Sequence, residues 1–115
     1  MAKILIVDDE PTLLTLLTRF LERQGHQVTA CDSAQTALRE FTARSHEYSL
    51  VISDLTLDGL TGEDLIEQLR AIKPGLPALI ASGYPHEPRI PGVGFLQKPF
   101  MPQALGQAID KLLKI

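Results

Sequence analysis

The chain has one cysteine, Cys31, in 115 residues. A lone thiol builds no disulfide framework, so the fold must rest on its core, and a reducing compartment fits. Runs of lysine or arginine are missing. Eleven basic residues stand against fourteen acidic ones, for a formal net charge of −3. That excludes a broad basic face, so direct contact with nucleic acid is not expected. The apolar runs fall far short of the ~20 residues that span a bilayer, so direct membrane contact is not expected either. Met1-Ala2-Lys3 leads straight into a strand-like run, too abruptly for a secretory signal. The expected location is cytoplasmic. There is no repeat, low-complexity tract or linker, so a single domain over residues 1–115 is expected. His26, His46 and His86 are scattered and lack metal-ligand spacing, so each is expected to be solvated. Cys31 reads as a small buried hydrophobe.

What the chain does have is apolar runs of strand length alternating with segments of helical period. Ile4–Val7, Gln27–Cys31, Leu50–Ser53, Pro77–Ala81 and Gly94–Gln97 read as strands. Residues 10–24 read as a helix with Leu13, Leu14, Leu17, Phe20 and Leu21 on one face. Pro11 is tolerated in its first turn and Gly25 can end it. A second helix over 33–44 takes Ser33 as N-cap and turns Ala34, Ala37, Leu38 and Phe41 inward. Thr61 can cap a third over 62–72, with Leu65, Ile66, Leu69 and Ile72 apolar. A last one, from about 101 to 114, buries Leu105, Ala108, Ile109, Leu112 and Leu113. It starts from a poor cap, Met101, and carries Gly106, which costs up to ~1 kcal/mol against alanine.

This alternation predicts an α/β fold: a doubly wound parallel sheet with helices on both faces. One stretch breaks the rhythm. Residues 83–93 carry Pro85, Pro88 and Pro91 with Gly83 and Gly92. An interior proline costs a helix about 3 kcal/mol, so a turn or extended loop is expected there.

In such a sheet, ligands bind beyond the carboxyl ends of the strands. Asp8 and Asp9 follow the first strand, Asp54 the third, Ser82 the fourth and Lys98 the fifth, all at one edge. Two carboxylates about 4 Å apart repel by roughly 4 kcal/mol at an effective dielectric of about 20. Three in one pocket therefore need counter-charge, and a divalent cation with Lys98 would supply it. Oxygen ligands alone suit Mg²⁺. A carboxylate beside a metal, a lysine and a hydroxyl is a candidate nucleophile toward phosphorus.

Together these residues resemble the response-regulator receiver family of two-component signalling, over essentially the whole chain. Ile-Leu-Ile-Val-Asp-Asp-Glu (4–10) is similar to its opening strand and acid pair. Ser53-Asp54-Leu55, with Gly59 and Gly62, is similar to its phosphoacceptor loop. Ala81-Ser82-Gly83-Tyr84 and Phe95-Leu96-Gln97-Lys98-Pro99-Phe100 match its switch-hydroxyl and lysine–proline segments. The resemblance implies a flavodoxin-like sheet of order 2-1-3-4-5, with the family's fourth helix short or missing. It implies that Asp54 accepts a phosphoryl group from a histidine kinase or histidine phosphotransfer protein. Mg²⁺ would be held by Asp9, Asp54, the Thr56 backbone carbonyl and, through water, Asp8. Lys98 would pair with the phosphoryl group, Ser82 would turn inward to bond it, and Phe95 would follow. The Lys98–Pro99 bond is expected to be cis, and Thr56 and Tyr84 to tune dephosphorylation. Such a domain catalyses only its own phosphorylation and dephosphorylation. Its output partner stays unassigned.

The spacing of the last two segments is also similar to receivers fused to hybrid sensor kinases. The chain departs from the family's pattern at 83–93, and at Asp58, where proline is common. A phosphorylation-independent interaction module on the same fold is the alternative reading. An aspartate-based phosphohydrolase is disfavoured because the Asp-x-Asp motif after strand one is missing. A flavin binder is disfavoured because strand one ends in acids.

Overall fold

The computed structural model describes residues 2–114. Five parallel strands form one sheet: β1 (Lys3–Val7), β2 (Gln27–Cys31), β3 (Leu50–Asp54), β6 (Ala78–Ser82) and β7 (Val93–Gln97), in the order β2-β1-β3-β6-β7. Two two-residue strands, β4 (Thr56–Leu57) and β5 (Leu60–Thr61), form a separate antiparallel pair. With that pair set aside, the sheet has the expected 2-1-3-4-5 order. The small hairpin was not foreseen. Its Asp58-Gly59 turn places Gly59 at a φ of +78°, which glycine adopts without steric cost.

The strands sort their side chains by alternation. Ile4 and Ile6 face one layer with α1 (Pro11–Arg23) and α4 (Pro102–Leu113), where Leu17, Leu21, Leu105 and Ile109 are buried. Leu5 and Val7 face the other with α2 (Ala34–Arg44) and α3 (Gly62–Ile72), where Phe41, Leu65, Ile66 and Leu69 are buried. Both layers are needed because every strand between β2 and β7 is apolar on both sides. Ser33 and Thr61 cap as expected, accepting from Thr36 N and Asp64 N at 3.1 Å. Met101 makes no side-chain cap bond, as its chemistry requires.

Three readings need correction. Ile72, read as part of the apolar face of α3, is 41% exposed, because it falls in the last turn beyond the packed part of the helix. His86 is not solvated: it is hydrogen-bonded to a buried carboxylate, Glu63. His26 is partly buried and accepts from Ala2 N at 3.2 Å. His46 is exposed as expected. Cys31 is buried, and burial, with the charges of Glu40 and Asp32, pushes its thiol up to about 11.

Residues 83–92 contain no regular helix or strand, in keeping with their prolines. They occupy the place of a third helix on the α2–α3 layer. Ile90, Val93 and Phe95 pack against the core of that layer.

Candidate functional site

Parallel pairing puts every strand's carboxyl end at one edge. Register pairs Val7 with Ser53, Asp54 with Ala81, and Ser82 with Gln97. Asp8 extends β1 by one more bond, donating from its N–H to Cys31 O at 3.1 Å. The edge is closed tightly under Asp54. Gly62 N donates to Leu55 O at 2.7 Å, and a Cβ on Gly62 would lie 2.2 Å from the Asp54 carbonyl oxygen. Only glycine permits α3 to start so close to the end of β3. The buried Ser53 hydroxyl donates to that same carbonyl at 2.8 Å.

Carboxylate oxygens of Asp8, Asp9 and Asp54 all lie within 4.8 Å of one another. Asp8 is buried, Asp54 half-buried and Asp9 exposed. Both Asp8 oxygens are engaged: Oδ1 accepts from Glu10 N at 2.9 Å and Oδ2 from Lys98 Nζ at 2.8 Å. Lys98 Nζ also stands 3.6 Å from Asp54 Oδ1. The lysine thus sits between two acids and closer to Asp8.

The charges follow from this packing. Burial holds the Asp54 carboxyl above its usual range, and the Asp8 charge adds to the effect; Lys98 and the N–H groups of Thr56 and Leu55 oppose it without prevailing. Burial alone would lower the Lys98 ammonium, but its bond to Asp8 and the charges of Asp8, Asp54 and Glu10 raise it. One lysine therefore leaves the pocket short of positive charge. The donor set is oxygen only, which fits a hard divalent cation.

Asp8, Asp9, Asp54 and Lys98, predicted from separate strand ends, thus come together. Ser82 is buried beside them at the end of β6; its hydroxyl accepts from Tyr84 N at 3.1 Å, and its carbonyl accepts from Lys98 N at 2.7 Å. Lys98–Pro99 is cis. Thr56 is exposed on the small hairpin, and Tyr84 is 75% exposed. Phe95 is half-buried on the α2–α3 layer, its ring centroid 6.3 Å from that of His86.

One cluster was missed. Glu63, in the first turn of α3, is only 2% exposed. His86 Nε2 is hydrogen-bonded to its Oε1, while Arg89 N donates to its Oε2 at 2.9 Å. The Arg89 guanidinium lies 3.3 Å from Glu63, with Asp64 and Glu67 at 3.7 and 3.6 Å. Burial works to raise the Glu63 carboxyl, but the bonds from His86 and Arg89 and their charges hold it below its usual range. Arg70, two turns along α3, donates to Pro91 O at 2.7 Å and to Gly92 O at 3.5 Å. The sequence signal for Glu63 is slight: it lies three residues before Ile66, on the flank of the apolar face.

This architecture has close counterparts. A sequence model of the response regulator receiver domain matches residues 4–110. The transcriptional regulatory protein GlrR of Escherichia coli K12 is 36% identical over 98% of this chain, and the chain spans about a quarter (26%) of that protein's length. The alkaline phosphatase synthesis regulatory protein PhoP of Bacillus subtilis is 30% identical over 97% of this chain and 48% of its own length. The crystal structure of a receiver domain protein from Clostridium thermocellum superposes with a TM-score of 0.91, at 30% identity, over 99% of this chain and 95% of that one. The receiver domain of the hybrid histidine kinase CckA superposes at 0.88, with 28% identity, over 96% and 98% of the two chains. On the match over residues 4–110 and this shared fold, the chain belongs to the response-regulator receiver family of two-component systems.

Proposed function

We propose that residues 1–115 act as one phosphoacceptor domain, switched by transfer of a phosphoryl group to Asp54. The observation that carries this is the convergence of the Asp8, Asp9 and Asp54 oxygens within 4.8 Å, with Lys98 between Asp8 and Asp54. The donor is a phosphohistidine on a histidine kinase or histidine phosphotransfer protein. An Asp54 carboxylate oxygen forms a bond to phosphorus as the phosphorus–nitrogen bond breaks. The electron pair returns to the imidazole, which takes a proton from solvent.

Asp9, Asp54 and the Thr56 carbonyl would hold Mg²⁺, with Asp8 acting through water. That ion would neutralise charge on the transferring phosphoryl oxygens. Lys98 is already paired with Asp8, so it can turn toward new negative charge without leaving the pocket. Ser82 leaves Tyr84 N to donate to the phosphoryl group, and Phe95 moves into the space released. Phosphorylation is thus a local charge event with a packing readout. The exposed Thr56 and Tyr84 set how readily water reaches the acyl phosphate. The only chemistry proposed is the domain's own phosphorylation and dephosphorylation.

Acetyl phosphate with Mg²⁺ should add one phosphoryl-sized mass to the intact chain, and Asp54→Asn should abolish the addition. A mutant modified at the wild-type rate would show that Asp54 is the wrong acceptor. No Mg²⁺-dependent addition at all would favour a phosphorylation-independent interaction module.

A further inference from the structure

The segment that replaces a helix is pinned, and both pins stand on α3. Glu63 holds its middle through His86 and Arg89, and Arg70 holds its end through Pro91 and Gly92. A carboxylate only 2% exposed needs such partners, since an unpaired buried charge is costly. The same segment touches the two proposed switch residues. Tyr84 N is bonded to the Ser82 hydroxyl, and the His86 ring lies against Phe95, at a separation and tilt (55°) usual for interacting aromatic rings. His86 is therefore shared: its imidazole nitrogen serves Glu63, and its ring packs near Phe95.

We propose that Glu63, His86 and Arg89 form a latch that holds residues 83–93 against α3 in the resting state, and that loading Asp54 releases it, so the surface that changes is the one shared by this segment and the first turn of α3. The inference rests on the phosphoacceptor reading. When Ser82 turns to the phosphoryl group, Tyr84 N loses its acceptor. When Phe95 moves, His86 loses its ring contact. One loss falls on Tyr84, just before the latch, and the other on His86 within it, while the Arg70 pin at 91–92 is untouched. The segment then swings from its far end. The surface so released is mixed in charge, with Arg89 facing Glu63, Asp64 and Glu67. Freeing Arg89 leaves Glu63, Asp64 and Glu67 as an acidic edge on α3 without its cation.

The test is amide hydrogen exchange read by mass spectrometry on the whole chain, before and after acetyl phosphate and Mg²⁺, with intact mass followed in parallel. In the wild type, loading should speed exchange across 84–90 and the start of α3 by roughly tenfold, the equivalent of a lost charge-assisted hydrogen bond, with residues 92–93 changing less. His86→Ala should show that faster exchange before loading, and loading should then add less than about twofold. Glu63→Gln keeps the side chain's size and one acceptor oxygen; it should fall between the two and serves if His86→Ala folds poorly. Full modification of the wild type without a change at 84–90 would overturn the latch and leave the phosphoacceptor reading intact. Wild-type exchange in both unloaded variants would also overturn it. No modification would remove both.

Discussion

The two faces of the sheet are covered by different means. One is closed by α1 and α4 through buried aliphatic side chains such as Leu21, Leu105 and Ile109. The other is closed by α2, α3 and a strap that buries little but Ile90 and the neighbouring Val93 and Phe95. On the first face cohesion comes from apolar area, which carries no charge to titrate or screen. Around the strap it comes from a carboxylate, an imidazole and two guanidinium groups, which do. The chain thus closes one face with uncharged contacts and pins part of the other with charged ones, next to its charged pocket.

The largest expected break is on the apolar face. Leu105→Ala should cost about 2–5 kcal/mol in denaturant unfolding, with the same loss at every pH at which the protein is native. If that loss varied with pH, the two faces would not differ in kind. Glu63→Ala should cost less, about 1–3 kcal/mol, by leaving His86 and the Arg89 N–H without their acceptor. Its signature is the pH dependence. Glu63 is held below the usual carboxylate range, so its contribution is present above that range and is lost as pH falls through its folded value. The mutant's deficit should therefore shrink in acid, and a deficit that grew there would reverse the assignment. The smallest effect is of opposite sign. Asp54 is held above its usual range, so its ionised form opposes folding at neutral pH, and this cost fades as pH falls. Asp54→Asn leaves Lys98 paired with Asp8 and should raise Tm at pH 7 by about 2–5 °C, a gain that vanishes near pH 4.

The contrast between the faces also explains what could be read in advance. Buried parallel strands are continuous apolar runs, so Ile4–Val7 and Leu50–Ser53 announce themselves, and the strand ends then place Asp8, Asp9, Asp54, Ser82 and Lys98 on one edge. The failure of the fourth helix was legible from three prolines. The strap's attachment was not. Glu63 and His86 are 23 residues apart, and neither periodicity nor spacing marks such a pair. The small hairpin escaped because strands of two residues carry no alternation. Tyr48 escaped too: it follows a single 3₁₀ turn over Ser45–Glu47, yet it is wholly buried and stacked on Phe41. Its burial follows from tertiary packing, with its hydroxyl donating to Glu40 at 2.6 Å.

Gly62 has a consequence for how such a domain can drift. A methyl group there would lie well inside van der Waals contact distance of the Asp54 carbonyl oxygen, which is backbone and cannot rotate away. Any side chain at 62 must therefore shift the start of α3 away from the end of β3, and Glu63 travels with it. The absence of one carbon atom thus acts as a gauge block: it sets the distance between the sheet edge that carries Asp54 and the strap's anchor, Glu63. Variation in the strap must keep partners for the buried Glu63, while the interval between Asp54 and Glu63 is set at a residue with no side chain.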